Sequence, residues 1–442
     1  MNPASRTLVF TTATLLAAGG AVAQNAVFNN NGGSGLWSDV NNWNGGLIGD
    51  NGEIAQINPA AAEVDGNFTI KRLQNSFGSQ FPQTISGAGT LTVDANAGGT
   101  PQAIVNVAGA GGGTMVIDTN VVIDNSGAGF SQIRNNNSSG NILTLGSNST
   151  LTLVTGAEVA QGAGGSINFD GSIAGNGNLR LIHNNVSFGA TSDNPSHTGE
   201  MVFQGNTQVT VDTAAGNTFF GGAKFQVNGN ATLTLNNENV IANTPLIGFG
   251  GTPTFNLNVN ADQAFGNLAL NSGIVDLTLG AGVDDLDFLP SSAFGWTGSL
   301  NINNFTPGVV GFGFDGGLSA AQLGLITIDG LAPASPLLLD VDGKLVFDAV
   351  SVLEGDYDDS GSVGQTDLNA VLLNWGDVSF PGNAAAIPGG SFDGVISQNE
   401  LNGVLLNWGN TAEAAGSAVP EPTTAALLGL AGLAGLARRH RI

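Results

Sequence analysis

Acidic and hydroxyl residues near the C-terminus lie at the spacing of a calcium-binding loop. Positions 1, 3, 5, 7 and 12 of this segment are Asp356, Asp358, Ser360, Ser362 and Asp367, and position 6 is a glycine. The alternating positions direct oxygen atoms to one concave side of a tight turn, and the glycine permits the sharp bend. The carboxylate at position 12 closes the shell from the first turn of the next helix. The pattern predicts a Ca2+ site, with a polar turn that holds no ion as the alternative.

A second segment of the same kind begins at Gly389. Its expected ligands, at positions 3, 5, 7, 9 and 12, are Ser391, Asp393, Val395, Ser397 and Glu400. A carboxylate is expected at position 1, where this segment has Gly389. Fewer charged ligands should give weaker calcium binding, and an ordinary turn is again the alternative.

Each loop is followed by almost the same nine residues, 368–376 in the first copy and 401–409 in the second. Apolar side chains recur in both at i, i+3, i+4 and i+7, which predicts two amphipathic helices whose apolar stripes pack against each other. This predicted docking-helix face consists of Leu368, Val371, Leu372 and Trp375 in one helix and Leu401, Val404, Leu405 and Trp408 in the other.

The whole unit, residues 353–410, resembles a type I dockerin, the paired calcium-loop module that binds cohesin domains in extracellular assemblies. The resemblance implies a small α-helical EF-hand pair with calcium as its cofactor. It also implies cohesin-like protein domains as partners. An intramolecular clamp without a partner is another use of the same module.

The N-terminus carries a secretory signal. Arg6 is followed by an apolar run over residues 8–22, and Ala21 and Ala23 form a small-residue cleavage site. Residues 1–23 are therefore interpreted as a signal peptide that is removed before Gln24.

The C-terminus carries a second address. Pro420, Glu421 and Pro422 precede an apolar run over residues 425–437 and a basic end that includes Arg438 and Arg439. Residues 418–442 resemble the PEP-CTERM sorting signal of Gram-negative bacteria, which implies an exosortase-type processing enzyme and a destination at the cell surface or in an extracellular matrix. As a helix, the apolar run reaches about 20 Å, short of the roughly 30 Å hydrocarbon core, which favours a transient membrane anchor over a permanent one.

The middle of the chain is predicted to be mainly β. Between residues 85 and 282, short β-prone runs alternate with Gly, Asn and Ser turns, and helical periodicity is almost absent. Segments such as 150–154 and 231–235 alternate small polar with branched apolar residues, as strands with one buried face do. Both a parallel β-solenoid (β-helix) and a β-sandwich fit this pattern.

A resemblance favours the solenoid. The segment Gly175-Asn-Gly-Asn-Leu-Arg-Leu181, the turn Asn194-Pro-Ser-His-Thr-Gly199 and the strands of 201–211 resemble one autotransporter-associated β-strand repeat. That family forms β-helical passenger domains.

Two β-rich regions, 24–84 and 283–350, are predicted to cap the body. In the first, Trp37 and Trp43 are better explained as capping core residues than as a sugar-stacking platform. In the second, Ser319 and Gln322 form a capping box that opens a short helix through Leu325.

The amino-acid composition limits the classes of function that fit this chain. The chain has no cysteine and a formal net charge of −24, which argues against disulfides and nucleic-acid partners. The tightest acidic cluster outside the calcium loops consists of Asp284, Asp285 and Asp287 and is interpreted as a turn or solvated surface. The body has two histidines, His183 and His197, and they do not support a catalytic triad. We therefore expect a non-enzymatic surface or matrix protein, structural or adhesive, with a docking module. The alternative is a dockerin-bearing carbohydrate-active protein that binds or degrades extracellular polysaccharide.

Overall fold

The structure is a computed structural model. It describes residues 25–46, 48–49, 53–58, 61–75, 82–94, 102–106, 114–125, 130–136, 142–160, 165–241, 245–333, 335–347, 355–357, 362–376 and 396–410. The chain divides into two compact units, one comprising residues 1–332 with 339–345 and the other residues 333–338 with 346–442.

The first unit is built almost entirely from short strands. In its N-terminal half these are β1 (Asn25–Phe28), β2 (Ile54–Ile57), β3 (Ala62–Glu63), β4 (Asn67–Ile70), β5 (Arg72–Asn75), β6 (Gln83–Val93), β7 (Gln102–Asn106), β8 (Met115–Ile123), β9 (Ser131–Asn135), β10 (Ile142–Leu145), β11 (Thr150–Leu153), β12 (Ala157–Ala160), β13 (Ser166–Phe169) and β14 (Ser172–Gly175). The strands that follow are β15 (Leu179–Leu181), β16 (Val186–Phe188), β17 (Met201–Phe203), β18 (Thr207–Val211), β19 (Lys224–Val227), β20 (Ala231–Leu235), β21 (Leu246–Phe249), β22 (Thr254–Val259), β23 (Gln263–Ala269), β24 (Ile274–Leu279), β25 (Leu286–Leu289), β26 (Ser299–Asn303), β27 (Val310–Gly311) and β28 (Ile326–Ile328).

These strands form two large sheets. Within the described residues, sheet 1 has 13 strands in the order β1-β2-β5-β7-β9-β12-β15-β17-β19-β21-β23-β25-β27, and sheet 2 has the other 15. From β17 onward the chain alternates between the sheets, and each strand pairs in parallel with the corresponding strand of the next coil. Parallel coils stacked in this way make a β-solenoid, so the predicted solenoid is confirmed and the sandwich alternative is wrong.

The core consists of inward-facing columns of apolar side chains. In sheet 2, the register aligns Val209, Leu233, Leu257, Leu277 and Ile302 from β18 to β26, all fully or almost fully buried. In sheet 1, the rings of Phe265, Phe288 and Phe312 stack with centroids 5.3 and 5.2 Å apart. Because no coil has a core of its own, burial depends on the neighbouring coils above and below.

Glycines at one corner permit this close stacking. A Cβ atom on Gly177 would lie 2.2 Å from the carbonyl oxygen of Thr155, and one on Gly199 would lie 2.2 Å from the carbonyl oxygen of Gly177. A Cβ atom on Gly222 would lie at the same distance from the carbonyl oxygen of Gly199. The Thr-Gly turn seen in the sequence is thus a backbone contact between successive coils.

Residues at both ends of the body continue its sheets. Strands β1, β2 and β5, and strands β25 to β28, pair in parallel with their neighbours in the body, so the ladders extend beyond residues 85–282. Trp37 and Trp43 are buried against Phe28, which confirms the interpretation as core residues. The Ser319 capping box is also confirmed, and its helix α1 (Ala320–Leu323) ends two residues earlier than predicted.

After α1, the strands β29 (Leu337–Leu339) and β30 (Leu345–Phe347) form a separate two-stranded sheet. The described residues of the second unit form two helices, α2 (Gln365–Leu373) and α3 (Gln398–Leu406).

Candidate functional site

The duplicated sequence folds into two loop-helix units with matching contacts. Val363, Val371, Ile396 and Val404 form a buried core, in which the second pair repeats the first at an interval of 33 residues. Tyr357, Leu368, Ala370 and Leu401 pack against this core. The two halves of the sequence repeat therefore bury the same positions against each other.

Backbone hydrogen bonds repeat in the same way. The amide of Gly409, after α3, donates to the carbonyl oxygen of Val363 at 2.9 Å, and the amide of Gly376, after α2, donates to that of Ile396 at 2.8 Å. Each loop is thus tied to the C-terminal end of the other unit's helix. This reciprocity makes each helix position depend on the opposite loop.

Asp367 braces the first loop. Its side chain is 1% exposed, and one carboxylate oxygen accepts the backbone amide of Tyr357 at 2.6 Å. The other oxygen accepts the amide of Gly364 at 2.8 Å. Positions 2 and 9 of the loop are thereby held to position 12, at the start of α2.

The described ligand candidates fit calcium chemically. A carboxylate has about four lone-pair sites, so the two amides leave further sites on Asp367 for a cation. Asp356 and Ser362, also described, supply the oxygen ligands that calcium takes. Asp358, Ser360, Ser391, Asp393 and Val395 lie outside the described residues, as does the side chain of Glu400, whereas Ser397 is described just before α3.

Among the described side chains, no group of three or more His, Cys, Asp or Glu residues is placed to hold a metal ion. Asp358 and Ser360, the other predicted ligands of the first loop, were not part of that search because they lie outside the described residues. The calcium sites stay a prediction.

The predicted apolar stripe is only half buried. Val371 and Val404 are fully buried and Leu368 and Leu401 partly so, as predicted. Leu372, Trp375, Leu405 and Trp408 are instead 53%, 49%, 54% and 46% exposed, so the expectation that they pack against the twin helix is wrong. A nine-residue helix presents one narrow stripe to the core, and in each helix a valine and the first leucine occupy it.

The same stretch exposes two residues that the periodicity did not single out. Leu373 and Leu406 are each 83% exposed, one residue after Leu372 and Leu405. The repeated Leu-Leu-Asn-Trp sequence is the feature of the chain that could have drawn attention to these two leucines. Both helices therefore present large apolar side chains outside the shared core.

In the solenoid, two carboxylates of the acidic cluster contact a lysine. The ammonium group of Lys344 contacts the carboxylates of Asp285 and Asp287, the latter at 2.8 Å. Burial lowers the pKa of Lys344, but the hydrogen bonds and charges of the two aspartates raise it more, so the net pKa is above its usual value. Asp285 and Asp287 are thus engaged in ion pairs, where the sequence suggested only a turn or solvated surface.

The two histidines of the body are buried. His197 is 1% exposed, with Nε2 3.0 Å from the carbonyl oxygen of Gly177 and its ring beside Phe220. His183 is fully buried, and its Nδ1 accepts the amide of Asn185 at 3.0 Å. Burial lowers the pKa of both rings, which favours neutral side chains that act in packing.

Comparison with known proteins gives one match. Residues 418–441 match the PEP-CTERM protein-sorting motif. No curated protein and no solved structure matches the chain. The motif confirms the sorting signal expected around Pro420, Glu421 and Pro422.

The β-solenoid and the sorting motif together define an exported, surface-associated protein. The motif is consistent with processing by an exosortase. The apolar run 425–437 and the predicted signal peptide, residues 1–23, lie outside the described residues. Of the helices that the structure describes, none is long and apolar enough to cross a membrane.

Proposed function

We propose that the protein is a non-catalytic surface or extracellular-matrix protein whose β-solenoid acts as a stalk and whose residues 353–410 form a calcium-dependent docking module. The observation that carries the proposal is the reciprocal packing of the two loop-helix units. Each loop is hydrogen-bonded to the end of the other unit's helix, and the first loop is braced by the buried carboxylate of Asp367. A change in either loop is thus transmitted to both helices.

Bound calcium would supply a charge that draws the loop carboxylates together. The chain's own residues position them: Asp367 fixes the loop against α2, and the buried core that includes Val371 and Val404 joins α2 to α3. Coupling of ion binding to helix order is expected, because two nine-residue helices are marginal without such support.

The exposed leucines and tryptophans support a docking role. Tryptophan, with its large apolar area, is enriched at the energetic centres of protein interfaces. Trp375 and Trp408, each about half exposed, stand on opposite copies of the repeat beside exposed leucines. The resemblance to dockerins makes cohesin-like domains the proposed partners.

The non-catalytic part of the proposal is supported by the state of the candidate groups in the solenoid. Asp285 and Asp287 are paired with Lys344, and both body histidines are buried with lowered pKa values. Incubation of the exported chain with pectins, alginates and xylans should release neither reducing ends nor unsaturated products. Turnover that Asp287→Asn abolishes would refute this part.

The calcium site is tested by titration calorimetry on residues 24–418. We expect one tight and one weaker site, because the second loop has glycine at position 1. Asp358→Asn removes a loop carboxylate without touching the Asp367 brace and should weaken the tight site at least tenfold. Glu400→Gln should affect only the weaker site.

Asp377→Asn is the matched control, since it removes the same charge just beyond α2 and outside both loops. It should leave both calcium affinities unchanged. Equal affinities in the Asp358 variant and this control would show that the loops are ordinary turns.

A further inference from the structure

The basic residues of the body are gathered on one side of the solenoid. Arg72, Arg134, Arg180 and Lys224 lie on sheet 1 strands β5, β9, β15 and β19, Lys71 immediately precedes β5, and Lys344 binds Asp287 of β25. These are all the lysines and arginines between the two terminal export signals. The strands of sheet 2 from β18 to β28 instead present Thr, Asn, Asp and Gln outward, including Thr234, Asn258 and Asn303.

Arg72 is a half-buried cation with neutral partners. Its Nη1 donates to Oε1 of Gln102 at 3.1 Å and to Oε1 of Gln74 at 3.3 Å. No carboxylate among the described residues lies within ion-pair distance of it. Burial lowers the pKa of Arg72, because desolvation disfavours the charged guanidinium. An anionic ligand would offset that cost.

Side chains on the neighbouring strands of sheet 1 continue from Arg72 in a row of polar and charged groups. Gln102 of β7 is in register with Gln132 of β9, which in turn is in register with Glu158 of β12. Gln132 donates to Glu158 at 2.9 Å, and Arg180 of β15 contacts the other oxygen of Glu158 at 3.2 Å. Adjacent strands are about 4.8 Å apart, so planar amide and guanidinium groups recur at that interval along the solenoid axis.

Two further side chains shape the row. The guanidinium carbon of Arg180 lies 3.8 Å from the centroid of the Phe130 ring, a cation–π contact that restrains this group. Arg134, on the same strand as Gln132, lies 3.5 Å from its Oε1. The row therefore presents fixed donors at three guanidinium positions and an acceptor at Glu158.

We propose that the outer face of sheet 1 from β5 to β15 binds a linear polysaccharide that carries carboxylates, as a uronate polymer does. The guanidinium forks match carboxylates in a bidentate manner, and the glutamine amides match sugar hydroxyls. Glu158, in the middle of the row, would accept a sugar hydroxyl and, as a carboxylate, would weaken any binding that depends on anionic charge alone. Repulsion between the ligand and acidic residues elsewhere on the chain is screened by salt beyond about 8 Å at physiological ionic strength.

The proposal is tested with polygalacturonate as the probe, by affinity electrophoresis of residues 24–418 in EDTA. The chelator removes any contribution from calcium and from the module at 353–410, so this test is independent of the docking proposal. Wild type should be retarded, and the double variant Arg72→Gln/Arg134→Gln should bind at least fivefold more weakly. Neutral dextran should not retard the wild type.

Lys224→Gln is the control, because it removes one positive charge from sheet 1, against two in the double variant, at a lysine that already pairs with Glu200 at 3.4 Å. It should bind polygalacturonate like the wild type. Arg72→Lys/Arg134→Lys keeps the charge but loses the planar forks, and it should bind at an intermediate strength; circular dichroism verifies that each variant is folded. The proposal is overturned by an equal loss in the Lys224 variant, by full affinity in the double lysine variant, or by equally strong retardation with single-stranded DNA.

Discussion

At the scale of single residues, the buried histidines of the solenoid link its stability to pH. The neutral ring of His183 carries its proton on Nε2, because Nδ1 accepts an amide, and this buried Nε2 has no hydrogen-bond partner among the residues that the structure describes. Protonation of either histidine in the folded state would place a charge in the core. Both pKa values are lowered for that reason.

We predict that the solenoid loses stability as the pH falls through the range of about 7 to 5.5. In the unfolded chain a histidine protonates near pH 6.5, while His183 and His197 stay neutral to lower pH. The unfolded state then binds more protons, so the free energy of unfolding decreases as pH falls and is pH-independent above about 7.5 as far as these groups are concerned. Denaturant midpoints at constant ionic strength measure the change of stability with pH. The stability of the double variant His183→Asn/His197→Asn should change less steeply with pH than that of the wild type. Parallel curves for the two proteins would contradict it.

At the scale of elements, the stacking of coils depends on backbone approach at the glycine corner. Gly177, Gly199 and Gly222 each face the carbonyl oxygen of the preceding coil, where a side chain would collide with backbone. Their role is close contact, since none of them has a positive φ. Adjacent coils share this contact, so a local change propagates to neighbours.

Gly199→Ala should therefore destabilise the solenoid by about 1–3 kcal/mol, the range for an overpacked site. Gly295→Ala is the control, because a Cβ there meets nothing within 4 Å and the residue has no positive φ. That variant should stay within about 0.5 kcal/mol of the wild type. Urea unfolding monitored by circular dichroism distinguishes them, and equal midpoints for the two variants would exclude a packing role for the corner.

At the scale of the whole molecule, the fold and the sorting motif describe a chain made to be exported. The solenoid has no cysteine and gains its stability from repeated strand pairing and apolar columns. The motif at 418–441 follows the loop-helix unit after a short segment. The sorting motif and the proposed docking module thus occupy separate parts of the chain.

We predict that protein recovered from the surface of its host begins near Gln24 and lacks the residues after about Pro422. Exosortase-type processing would remove the apolar run and the basic end together. Intact-mass measurement checks both ends. Pro420→Ala/Pro422→Ala should leave the tail in place, whereas Thr423→Ala/Thr424→Ala serves as the control, and a mature protein that retains residues 438–442 would refute the processing step.

The sequence by itself determined the local features of this protein. Alternating residues in segments such as 231–235 predicted strands, the Trp37 and Trp43 pair predicted a buried cap, and Pro420-Glu421-Pro422 predicted the sorting signal. Each of these depends on neighbouring residues in the chain. Composition and spacing are therefore sufficient to recognise them.

Only the tertiary structure decided which distant residues meet. It distinguished solenoid from sandwich through the parallel pairing, because alternation is the same in both. It left Trp375 and Trp408 about half exposed, because other apolar side chains, among them Val371, Val404 and Ile396, form the buried core of the loop-helix units. It also brought Lys344 to Asp285 and Asp287, and aligned Arg72, Gln132 and Arg180 in one row, because strand register joins residues that are some 20 to 60 positions apart.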